Sequence, residues 1–92
     1  MNLRDIKKDI EYFVGAFVDD CALFLSDHST EKGAATVAGL IDKAVELYNG
    51  LRDKVGTPEG NKKVYYNKLR EELLSSLDGL YGELSEAIKG NA

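Results

Sequence analysis

The chain has 92 residues and a mass of 10.1 kDa, enough for one small domain, expected to span 1–92. Twelve Lys+Arg stand against 16 Asp+Glu, and the resulting charge of −4 argues against a general nucleic-acid coat, whose footprint is a basic excess. Hydrophobic residues at 43% and charged residues at 30% describe an ordinary globule rather than a disordered tail, one Cys excludes an internal disulfide, and one His excludes any site that needs two.

Charges recur through Met1-Asn2-Leu3-Arg4-Asp5-Ile6-Lys7-Lys8-Asp9, which does not fit the apolar core of a secretory signal. No run approaches the roughly 18 apolar residues of a membrane span. A bacterial-type cytoplasmic protein with no membrane partner is the expectation, and a lone reduced Cys21 agrees with it.

The first helix is expected over about 3–27. Asn2 is its N-cap, and Leu3, Ile6, Ile10, Phe13, Val14, Phe17, Cys21, Phe24 and Leu25 form a stripe at spacings of three and four. Ser26-Asp27-His28-Ser29-Thr30 then supplies turn and capping residues. The second helix, about 31–55, starts after Ser29 or Thr30. Its expected stripe is Ala34, Val37, Ala38, Ile41, Ala44, Val45, Tyr48, Leu51 and Val55, with Gly56 as the stop. Thr57-Pro58 looks like an N-cap followed by Pro at the first helical position. The third helix follows over about 60–89, with Tyr66, Leu69, Leu73, Leu77, Leu80, Leu84 and Ile88 on one seam and a frayed tail after it. Short connections make neighbouring helices antiparallel, so the expected fold is all-α, an up-down-up three-helix bundle with long helices.

The sequence lacks the usual catalytic groupings. Cys21 and His28 lie two helical turns apart, about 10 Å, too far for a nucleophile–base pair. Cys21 reads as a small core residue and His28 as a turn residue. Zinc wants three or four converging ligands, and the Glu-x-x-His pairs of bundle di-metal sites are missing. Asp19-Asp20 and Glu71-Glu72 are adjacent on their helices and diverge by about 100°, so neither pair clamps an ion. Gly33, Gly39 and the Gly79/Gly82 pair belong to no phosphate-binding loop. No catalytic, cofactor-binding or metal-binding residue is assigned, and the chain is read as not an enzyme.

Three features stand out. The first is charge layout. Residues 1–14 and 42–70, assigned to one end of the bundle, sum to +3, and the remainder to −7. Such a rod could orient a partner or a second copy. The densest basic stretch holds Lys62, Lys63, Lys68 and Arg70 beside Tyr65 and Tyr66.

The second is the back of the first helix. Tyr12, Gly15, Ala16, Asp19, Ala22 and Leu23 include one charge, and a helix apolar or small on both sides is usually buried on both. The third is glycine inside helices, at Gly15, Gly39, Gly50, Gly79 and Gly82, the first, second and fourth of these expected at similar heights.

The function expected from these features is a non-enzymatic helical module for protein–protein interaction. It would be homodimeric, with Tyr12, Gly15, Ala16, Asp19 and Leu23 at the interface and a further, unidentified protein partner. The alternatives are a nucleic-acid-associated regulator using Lys62, Lys63, Lys68 and Arg70, or an enzyme or ligand binder whose site forms between subunits.

Overall fold

The computed structural model describes residues 3–27 and 31–91. Three helices follow one another: α1 (Leu3–Asp27), α2 (Glu31–Val55) and α3 (Lys62–Asn91). Every pair is in contact, and no strand occurs among the described residues. The fold is therefore the expected all-α, up-down-up bundle, a rod with extents of 47 × 17 × 16 Å. Asn2, His28, Ser29 and Thr30, proposed as caps and turn, lie outside the described residues, as does the side chain of Leu3.

One continuous core runs along the rod axis. From α1 it takes Ile6, Ile10, Val14, Phe17, Cys21 and Phe24, and from α3 Tyr66, Leu69, Leu73, Leu77, Leu80 and Leu84. Phe17 and Leu73 are fully excluded from water. Each such side chain contributes about 1.5–3 kcal/mol by burial. Ile88, expected on the α3 seam, is instead 46% exposed. It stands level with the last residue of α1, where that neighbour ends.

The α2 stripe is rotated from the expected one. Gly33, Val37, Leu40, Ala44, Leu51 and Val55 are buried, Ile41, Leu47 and Tyr48 are half-buried, and Ala38 and Val45 are exposed. The expected stripe omitted Leu40 and Leu47. These leucines carry far more apolar area than Ala38, so their burial sets the rotation.

The α2–α3 connection also departs from expectation. Val55 ends α2 as expected, but Thr57 does not cap α3. Asn61 does: its Oδ1 accepts the Val64 N–H at 3.2 Å, three residues on, and its carbonyl accepts the Tyr65 N–H at 2.9 Å. The preceding Gly60 has φ +68°, a backbone conformation that suits glycine. Helix α3 thus starts at Lys62 and continues to Asn91.

Lys54 fastens this turn. Its carbonyl accepts the Thr57 N–H at 3.2 Å and the Tyr65 hydroxyl at 2.9 Å. Its ammonium donates to both Glu72 carboxylate oxygens, at 2.9 and 3.2 Å.

Polar pairs report the register. Arg70 meets Asp9 and Tyr81 meets Asp20, so in each pair the α3 residue stands 61 positions after its α1 partner. Helices α1 and α3 therefore run parallel and in step. Lys54–Glu72 and Lys43–Glu83 run in opposite order along α2 and α3, as an antiparallel pair requires. A cross-section at Gly15 then meets α3 near Ser76 and α2 near Gly50. Gly79 lies within a turn of that level. Gly39 does not: it is level with residue 87, about 16 Å further along the rod, which corrects the expected alignment of Gly15, Gly39 and Gly79.

Candidate interaction surface

Tyr12 is 71% exposed and Leu23 62% exposed on the back of α1. Gly15 and Asp19 are also exposed, and Ala16 is half-buried. The five are neighbours at spacings of three and four along the back of α1, and two of them also border a groove. Gly15 and Asp19 line a shallow groove of about 290 Å³ between α1 and α2, with Glu11, Val14, Val18 and Tyr48. Tyr12, Ala16 and Leu23 lie on the side of α1 nearer to α3. They stand three or four residues from Asp9 and Asp20, which bond to α3, and so share a ridge with them.

Helix α3 completes that flank. Leu74 follows Arg70 by one turn, and Leu74, Tyr81 and Ile88 recur every seven residues along the α1-facing edge. All three are exposed, Leu74 by 41%. Five of the seven exposed large hydrophobic side chains among the described residues thus line one face, shared by α1 and α3. Val45 and Val64 lie elsewhere. The α3 contribution was absent from the sequence-based interface. Its signal was the seven-residue spacing beside the core seam, which reads as a face only once α1 and α3 are known to be parallel neighbours.

Tyr81 anchors the middle of this face. Its hydroxyl donates to Asp20 Oδ2 at 2.9 Å, and its ring meets Phe17 edge-on, with centroids 4.9 Å apart. Burial, the hydrogen bond to Asp20 and the Asp20 charge push the Tyr81 hydroxyl up to about 12. Below it, Arg70 Nε lies 3.0 Å from Asp9 Oδ2, an ion pair without an aligned hydrogen bond. Both partners are partly exposed, so the pair contributes about 0–1 kcal/mol.

The groups considered for chemistry are placed as follows. Cys21 is fully buried, and burial followed by the Asp20 charge pushes its thiol up to about 11. A thiol so placed is a poor nucleophile at neutral pH. Among the described residues, no group of three His, Cys, Asp or Glu side chains is placed to hold a metal ion. No helix there is long and apolar enough to cross a membrane.

At the basic end, Lys62, Lys63 and Lys68 are exposed, but the aromatic rings beside them are engaged. Tyr66 is 4% exposed, and Tyr65 packs against the core with its hydroxyl on the Lys54 carbonyl. The Tyr66 ring thus offers no open face for base stacking, and the Tyr65 ring is half-buried.

The observed register refines the charge layout. Divided at the Gly15 level, one half (residues 1–15 and 50–76) holds nine basic and seven acidic residues, and the other holds three and nine. Their net charges are +2 and −6. No known protein family, curated protein or solved structure matches this chain.

Proposed function

We propose that this chain is a non-enzymatic helical interaction module of the bacterial cytoplasm, which pairs with a copy of itself and with other proteins through the outer face of α1 and α3. The observation that carries this reading is the gathering of Tyr12, Leu23, Leu74, Tyr81 and Ile88 on one side of a thin bundle. Apolar patches of this kind, rimmed by polar residues, mark interaction sites. A chain of this length buries only about 60–65% of its unfolded surface, so a partner adds useful burial.

Photo-crosslinking in living cells tests the reading. A photoreactive residue at position 23 is expected to give covalent protein adducts, whereas one at Glu46, on the exposed side of α2, gives few. Equal labelling at the two positions, or no protein adduct at position 23, would overturn it.

A further inference from the structure

We propose that the α1/α3 face closes on the same face of a second copy, with the two rods antiparallel and the two-fold axis near Ala16. The proposal rests on the interaction-module reading and names the partner and its orientation.

Charge sets the orientation. The halves of the rod carry +2 and −6. Parallel pairing would lay the two strongly acidic halves side by side. Antiparallel pairing lays each acidic half against a basic one. Screening at physiological salt limits such interactions to about 8 Å, so laterally adjacent halves dominate and the distant ends do not. A two-fold axis across the rod produces this arrangement from identical chains.

Size and relief agree with it. The rod is 47 Å long and 17 Å wide, and most of one side is a strip of about 700 Å², close to the roughly 800 Å² per partner of a stable interface. Ala16, near mid-length, is small and lets the backbones approach at the axis. Tyr12 and Tyr81 flank it at opposite heights, so each Tyr12 comes level with the partner subunit's Tyr81. The same symmetry carries Leu23 to the level of the Asp9–Arg70 ion pair, in the other copy's basic half.

Sedimentation equilibrium of the full chain at tens of micromolar, with circular dichroism to verify folding of each variant, tests the pairing. A dimer is expected, weakened by about tenfold or more by Ala16→Arg. Because Leu23 meets the basic half, Leu23→Lys is expected to weaken it more than Leu23→Glu; a parallel pair would reverse that order. Thiol oxidation tests the axis. Ala16→Cys is expected to form a disulfide dimer, while Leu23→Cys alone does not, since its two copies stand on the order of 20 Å apart.

A monomer in this assay would overturn the second-copy proposal. It would also remove self-pairing from the module reading; the rest of that reading, binding of other proteins, stands or falls on adducts at position 23, so the two fail separately. A dimer indifferent to Ala16→Arg, or one linked through Leu23→Cys, would overturn the face or the orientation.

Discussion

Tyr81 and Asp20 stand 61 residues apart in sequence and 2.9 Å apart in space, and their hydrogen bond reports the parallel register of α1 and α3. Tyr81→Phe keeps the ring contact with Phe17 and removes the bond. The expected cost is about 0.5–1.5 kcal/mol. A double-mutant cycle with Asp20→Asn, read by urea denaturation, should show the two substitutions to be coupled. Strict additivity would deny the bond a role in stability.

The same pair predicts a pH effect. The Tyr81 hydroxyl ionises near 10 in the unfolded chain and near 12 in the folded one, so the native state holds the proton more tightly. Its contribution is complete below pH 10 and is lost as pH rises toward 12. Cys21, raised from 9.0 to about 11, acts in the same direction over a lower window. Urea midpoints should therefore fall between pH 9 and 12. The fall should be shallower above pH 10 in Tyr81→Phe.

Cys21 should react only when the protein opens. With its side chain fully buried and its thiol pushed up, labelling by a thiol reagent at pH 8 should be slow and should accelerate with denaturant. Fast stoichiometric labelling of the folded chain would contradict this. Cys21→Ser should destabilise by about 1–3 kcal/mol, through burial of a hydroxyl where a thiol had packed.

Glycine substitutions should split in sign. A methyl group at Gly39, Gly50, Gly79 or Gly82 would meet nothing within 4 Å, and all four are helical. Alanine at each should stabilise by about 0.5–1 kcal/mol. Gly60→Ala should destabilise, because φ there is +68°. Thermal unfolding of the five variants checks the split.

Core and cap give a further contrast. Leu73→Ala should cost about 2–5 kcal/mol, whereas the same change at the exposed Ile88 should have a small effect. Asn61→Ala should cost about 0.5–2 kcal/mol, and Thr57→Ala much less, because the Asn61 side chain holds the first turn of α3. Equal losses at Thr57 and Asn61 would return the cap to the earlier residue.

The stripes of α1 and most of α3 were legible because bulky residues mark one side of each helix at spacings of three and four. The α2 stripe was not, because alanines at 34, 35, 38 and 44 mark several sides with little area, and the choice between them falls to Leu40 and Leu47. The α3 cap was missed because Thr57-Pro58 offers a plausible start four residues before the one used. Asn61 acts as cap where Gly60 has the left-handed backbone conformation. Of the candidate face, Tyr12 and Leu23 could be read from the back of α1. Leu74 and Tyr81 could not, since their membership depends on the 61-residue offset, a relation between helices that no local pattern contains.

The cluster of bonds on Lys54 bears on the order of folding. Its partners Thr57, Tyr65 and Glu72 lie 3, 11 and 18 residues away, so closing that hairpin requires only short loops. The α1–α3 bonds close loops of 61 residues at a greater entropic cost. The hairpin of α2 and α3 should therefore assemble early and present a template on which α1 docks. In kinetic terms, Glu72→Gln should slow folding, whereas Asp20→Asn should chiefly speed unfolding.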